Sequence, residues 1–177
     1  MKGIIFNIVE EVISGTSGPE TWDELLILTE LSGVYTSLGS YPDKELMDLV
    51  AAASKLSDTP TPELLECIGR DAIPLLYERF PKFFDDAPDA RTFILGLNTI
   101  IHPEVRKLYA RASCPHFNFV ETADTVTLGY NSPRKLCHLA QGFIDGVARH
   151  YGEQIAMEQP TCMHDGAPMC HIRLIWS

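Results

Sequence analysis

The sequence predicts an α+β domain: a helical N-terminal lobe, then a C-terminal antiparallel sheet carrying one long helix. Two observations predict it. Apolar residues recur at helical spacing through roughly the first hundred residues, and from about residue 117 the pattern gives way to short runs of β-branched and aromatic residues. The chain also closes on two strand-like segments around His164–Asp165–Gly166, a turn signature. A length of 177 residues suits one domain of two sub-lobes, about 1–60 and about 61–177.

The elements follow in order. Ile4, Ile5, Ile8, Val9, Val12 and Ile13 mark a first helix, with Gly15 as its stop. The run "TWDELLILTELSG" predicts a second, capped by Thr21 with Glu24 in a capping box and ended by Gly33. Residues 43–56 and 61–80 predict two more amphipathic helices, and Pro74 is expected to end or kink the latter. Residues 89–101 form a nearly all-apolar helix and hence a buried one. "HFNFVE" and "TVTLGY" read as strands, "SPRKLCHLAQGFIDGVARHYG" as a long helix, and residues 153–177 as a β-hairpin.

Composition excludes several functions. Apolar residues make up 45% of the chain, enough for a core without disulfides. A net charge of −10 argues against nucleic acid and suits a basic protein partner. Asn7, Glu10 and Glu11 interrupt the opening apolar run, which is therefore neither an export signal nor a membrane span. Five cysteines, an odd number, point to a reducing cytoplasm.

Two stretches carry chemistry. In "YNSPR", extended backbone turns Tyr130, Ser132 and Arg134 to one side, and Ser132 before Pro133 has the form of a helix N-cap. The pentapeptide is either an ordinary capped helix or a receptor for a carboxylate or phosphate, with Arg134 as the bidentate element. His102 lies on an apolar helix face directly before Pro103. A lone imidazole there is either a satisfied core residue or a ligand. Non-covalent haem attachment needs a proximal imidazole, an apolar slot and polar groups for two propionates. His102 and "YNSPR" supply the first and the last.

The opening "MKGIIFNIVEEV", the helix with His102, Pro115 in "SCPHFN" and the spaced Tyr130–Ser132–Arg134 together resemble the haem nitric oxide/oxygen-binding (H-NOX) family, related to the haem domain of soluble guanylate cyclase. The resemblance covers essentially the whole chain. It implies haem b between the two lobes, His102 as the axial iron ligand, Tyr130, Ser132 and Arg134 on the propionates, and Pro115 pressed against the macrocycle. Oxygen-holding relatives place a tyrosine nine residues beyond the motif's own tyrosine. Here that position is Leu139, and Val9 and Ala72 match the tryptophan and asparagine that assist it. Ile5 and Phe143 would complete an apolar pocket that binds nitric oxide and carbon monoxide but does not retain oxygen.

Cys162 and Cys170 lie four residues either side of Gly166, so a hairpin centred there sets them face to face. Some proteobacterial relatives bind zinc with cysteines at these places and at that of Cys137, plus a histidine three residues before the first hairpin cysteine. Here that residue is Gln159, leaving His164, His138 or His171 as the fourth ligand, or three reduced cysteines near a core.

The resemblance implies a cytoplasmic nitric oxide sensor that regulates a separate partner, such as a histidine kinase or a cyclic-di-nucleotide enzyme. No catalytic nucleophile or acid–base pair stands out, so it is not expected to be an enzyme. Rival readings are a zinc or cysteine thiol redox sensor, an oxygen-binding module, and an interaction domain without cofactor.

Overall fold

The structure, a computed structural model, describes residues 1–176; Ser177, the last residue of the expected hairpin, lies outside them. Helices α1 (Gly3–Ser17), α2 (Pro19–Thr29), α3 (Asp43–Ser57), α4 (Thr61–Arg79), α5 (Pro81–Asp85), α6 (Ala90–Leu95) and α7 (His102–Leu108) precede strands β1 (His116–Glu121) and β2 (Thr125–Asn131). Helix α8 (Cys137–His150) and strands β3 (Ile155–Thr161) and β4 (Cys170–Trp176) complete the chain. The strands form one antiparallel sheet in the order β1-β2-β4-β3. No helix among the described residues is long and apolar enough to cross a membrane.

Two apolar cores share two helices. Phe6, Leu25, Leu46 and Leu49 from α1–α3 meet Leu65 and Ile68 of α4 and Leu139 of α8. Ile94, Val126, Leu128, Ile172 and Leu174 pack with Ile73 of α4 and Ile144 and Val147 of α8. The α4–α8 pair is therefore the partition between the lobes, and α4 belongs to both cores. Small residues let the two backbones meet: a Cβ on Gly142 would stand 2.2 Å from the Glu66 carbonyl oxygen, and one on Gly146 2.6 Å from that of Arg70.

That contact explains why α4 runs on through Pro74, which was expected to end or kink it. Pro74 has no N–H for the Arg70 carbonyl. The same carbonyl lies against Gly146, where packing on α8 holds the helix through the proline.

Other boundaries also move. Helix α2 starts at Pro19, in the first helical position, with Gly18 before it at φ 94°. Thr21 sits inside the first turn and donates its hydroxyl to the Ser17 carbonyl, so it is not the cap. Glu30, left-handed at φ 56°, ends α2 ahead of Gly33, and α1 runs past Gly15 to Ser17. The helix expected over 89–101 breaks after Leu95 into a π turn, Leu97–Ile101, from which α7 leaves at His102. The hairpin turns at Met163–Asp165, with Gly166 at φ 88°.

The α4–α8 contact gives a paired stability test. Gly142→Ala must push two helix backbones apart and is expected to lower unfolding stability by about 2 kcal/mol or more. Gly15→Ala, where a Cβ meets nothing within 4 Å, is expected to raise it by about 0.5–1 kcal/mol. Urea melts of the two variants against the parent check both signs.

Candidate functional site

A cavity of about 410 Å³ opens between the lobes, within the range of small-molecule sites. Its walls are mainly apolar: Ile5 of α1, Ile73 and Leu76 of α4, Phe93 of α6, and Leu139, Phe143, Ile144 and Val147 of α8. His102, Tyr130, Ser132, Arg134 and Pro115 line the same cavity. Sequence reasoning named all five, and the fold brings them together.

His102 opens α7 directly after the π turn. Asn98 in that turn pins it to β1, donating from Nδ2 to the Phe117 carbonyl at 2.6 Å and accepting from Phe117 N–H at 3.1 Å. The imidazole lies 5.7 Å from the Phe117 ring. Its Nδ1 is buried and makes no hydrogen bond of good geometry. Burial, then the Arg106 guanidinium and His116, push the His102 pKa down to about 4, and the Pro115 carbonyl offsets this only in part. The ring is neutral at physiological pH, the form that ligates metals.

The "YNSPR" segment departs from the expected cap. Tyr130 lies opposite Phe117 on β1 and Cys170 on β4, and its hydroxyl accepts from Leu136 N–H at 2.9 Å. Ser132 Oγ accepts from Arg134 N–H at 3.3 Å, and Lys135, left-handed at φ 50°, closes a turn back to the Ser132 carbonyl. Helix α8 begins only at Cys137, with Leu136 before it and no side-chain cap. Ser132 is thus a turn residue, not an N-cap, and the expected helix over 132–152 loses its first five residues.

Arg134 is held in place from two sides. Its Nε donates to Asp43 Oδ2 and its NH1 to the Ser113 carbonyl, each at 2.7 Å. The N-terminal ammonium donates to Asp43 Oδ1 at 2.6 Å. Partial burial would raise the Asp43 carboxyl, but hydrogen bonds from the N-terminus and Arg134 outweigh it and hold the group below the usual range. The guanidinium keeps further N–H groups for an anion, the geometry a bidentate carboxylate contact uses. Sequence reasoning missed Asp43, Ser113 and Asn98. Asp43 looks like any acidic residue in a first helical turn, and nothing local pairs positions 91 apart.

Ile5, Leu139 and Phe143 lie on the cavity wall and carry no hydrogen-bond donor. Val9 and Ala72 do not line it; they are buried in the adjoining helical core.

The family model described as "Haem-NO-binding" matches residues 2–159. The chain belongs to the H-NOX family. An H-NOX protein from S. oneidensis, solved in the Fe(II)NO ligation state, is 33% identical with a TM-score of 0.95, covering 100% of this chain and 99% of that one. The same species' H-NOX domain in the Fe(II)CO state is 33% identical at TM-score 0.91, covering 100% and 99%. The Fe(II) unliganded H-NOX protein from K. algicida is 27% identical at 0.90, covering 100% and 97%. H-NOX domains bind haem, and the residues present here fit that group: a neutral imidazole on the wall of a mainly apolar cavity, and two hydroxyls with a guanidinium on the same wall.

The cysteines expected to hold zinc also converge. Cys137 Sγ lies 3.8 Å from Cys162 Sγ, which lies 3.9 Å from Cys170 Sγ. Burial pushes the Cys137 and Cys170 thiols above their usual range. The fourth ligand that tetrahedral zinc requires is not in place. Gln159 Oε1 accepts from Gln141, His138 Nδ1 pairs with Glu66, His164 Nε2 pairs with the Lys135 carbonyl and His171 Nδ1 with Thr161. The donor set does not fit a four-coordinate zinc ion.

Two variants test the haem site. His102→Gly is expected to lose haem on purification and to retain it when imidazole fills the vacancy; an unchanged ferrous spectrum without imidazole would contradict the assignment. Arg134→Ala is expected to speed haem loss to an excess of apo-haem acceptor, with Arg134→Lys intermediate. Equal rates would leave Arg134 as a partner of Asp43 alone.

Proposed function

We propose that this H-NOX domain is a cytoplasmic, non-catalytic nitric oxide sensor that holds haem b and regulates a separate signalling protein, such as a histidine kinase or a cyclic-di-nucleotide enzyme. The observation that carries the reading is the neutral imidazole of His102 in the wall of an apolar cavity that also contains Tyr130, Ser132 and Arg134. Bound haem would supply a ferrous iron able to take a diatomic gas, with His102 as the residue that would hold that iron. His102 provides the neutral imidazole, the trio orients the propionates, and Pro115 forms part of the wall against the macrocycle.

A change at His102 would have two routes outward. The π turn that positions it is an underwound segment, and Asn98 ties that turn to β1. Arg134 links the propionate site through Asp43 to the N-terminus and α3 of the helical lobe. The lobes are therefore joined at the site itself, and a change there biases their relative position. Ile27, Val34 and Leu38 stand exposed on the helical lobe, apolar surface of the kind a partner protein covers.

Gas selectivity follows from Ile5, Leu139 and Phe143. Bound dioxygen carries partial negative charge, and a donor to it would contribute roughly 1.5–3 kcal/mol, about one to two powers of ten in affinity. These side chains offer none. The reduced protein is expected to bind nitric oxide and carbon monoxide and to form no lasting oxygen complex. Absorption spectra recorded under each gas and under air check this, and a persistent oxygen-bound spectrum in air would overturn it.

A further inference from the structure

The cysteine cluster is more than packing. Cys137 is the first residue of α8, Cys162 follows β3 and Cys170 opens β4, so three separate elements deliver three sulfurs to one point. All three lie within 4.8 Å of one another. Cys137 and Cys170 are fully buried and Cys162 is 9% exposed. Each sulfur also faces a nitrogen donor. Met163 N–H points at Cys170 Sγ at 3.1 Å and His164 N–H at Cys162 Sγ at 3.4 Å, and beside Cys137 the Nε2 of Gln159 is buried without a hydrogen-bond partner. Cys137 sits besides at the positive end of a fourteen-residue helix. Such donors would stabilise charge on sulfur once a metal displaces the thiol protons, which burial alone disfavours.

The cluster's chemistry selects among metals. Hard cations prefer oxygen ligands, and three sulfurs 3.8 and 3.9 Å apart close on a single ion rather than on an iron–sulfur cluster. Structural zinc is almost always four-coordinate. His164 groups with Cys137 and His138 rather than with the three sulfurs together, and its ring is turned to the Lys135 carbonyl. A metal–sulfur bond of about 2.3 Å in a planar three-coordinate arrangement separates the sulfurs by about 4.0 Å, close to the spacings here. Soft thiolates of this kind select monovalent copper. We propose that Cys137, Cys162 and Cys170 form a buried three-coordinate thiolate site for Cu(I), with Gln159 as a donor to the Cys137 sulfur in place of a fourth ligand. On binding, Sγ–H bonds break, Sγ–Cu bonds form and the displaced protons pass to solvent; no electron is transferred. The site stands independently of the haem assignment.

The test is an anaerobic titration of the purified, reduced protein with Cu(I) supplied as its acetonitrile complex, against the chromophoric chelator bicinchoninate. A parallel titration uses zinc and a chromophoric zinc chelator. The protein is expected to withdraw one Cu(I) per chain, with copper-edge X-ray absorption showing three sulfur neighbours. Each Cys→Ser change is expected to weaken uptake by more than about a hundredfold, and Gln159→Ala by about tenfold. Gln159→His is expected to move the preference to zinc. Stoichiometric zinc held in preference to Cu(I), and lost in His164→Ala, would overturn the proposal in favour of a four-coordinate site. Absence of Cu(I) uptake by the folded parent protein would overturn it outright. Should a serine variant fail to fold, the coordination number at copper in the parent still decides, since a nitrogen neighbour beside the sulfurs contradicts the three-sulfur site.

Discussion

A buried imidazole nitrogen with no hydrogen-bond partner is the constraint around which this molecule is arranged. Such a group left unsatisfied costs about 1–3 kcal/mol, and His102 is not left loose to find water. Asn98 fixes the turn before it, and the Phe117 ring stands beside it. The position is rigid, the ring is neutral and it lines the cavity with the Pro115 carbonyl beside it, a combination that suits a metal ligand better than a core residue. The mainly apolar cavity makes sense on the same terms, since it keeps water from the unpaired ring.

The second dependency is the seam between the lobes. Gly142 and Gly146 bring α8 so close to α4 that the helices act as one wall, and each core is built on an opposite side of it. At the cavity's edge the lobes are joined instead by charge: the N-terminal ammonium, Asp43 and Arg134. Contacts of this kind exchange partners at low cost compared with a packed core, because each is partly exposed and can be replaced by water or another ion. A rigid partition beside an exchangeable latch is a structural basis for two positions of the helical lobe.

Much of this was legible in the sequence, and the failures share a cause. Strands β1 and β2, the hairpin at Gly166 and the convergence of His102 with Tyr130, Ser132 and Arg134 follow from periodicity, turn chemistry and family resemblance. What was missed depends on groups far apart in the chain. Ser132 looks like a cap because its local pattern is that of a cap, yet its hydroxyl closes a turn made possible by a left-handed Lys135. Pro74 looks like a helix end until Gly146 of α8 is set against the Arg70 carbonyl. The 89–101 helix breaks into a π turn whose Asn98 side chain serves β1. Asp43 carries no local mark at all; its role appears only when the N-terminus and Arg134 meet on it.

The proposed function requires that His102 hold haem iron and that nitric oxide loosen that hold. Resonance Raman spectroscopy of the reduced protein, prepared with natural and with nitrogen-15 histidine, observes that bond directly. The account predicts an isotope-sensitive iron–imidazole stretching band in the reduced, gas-free protein, and its disappearance on adding nitric oxide. A band that persists at full nitric oxide occupancy, or a reduced haem protein with no such band, would contradict it.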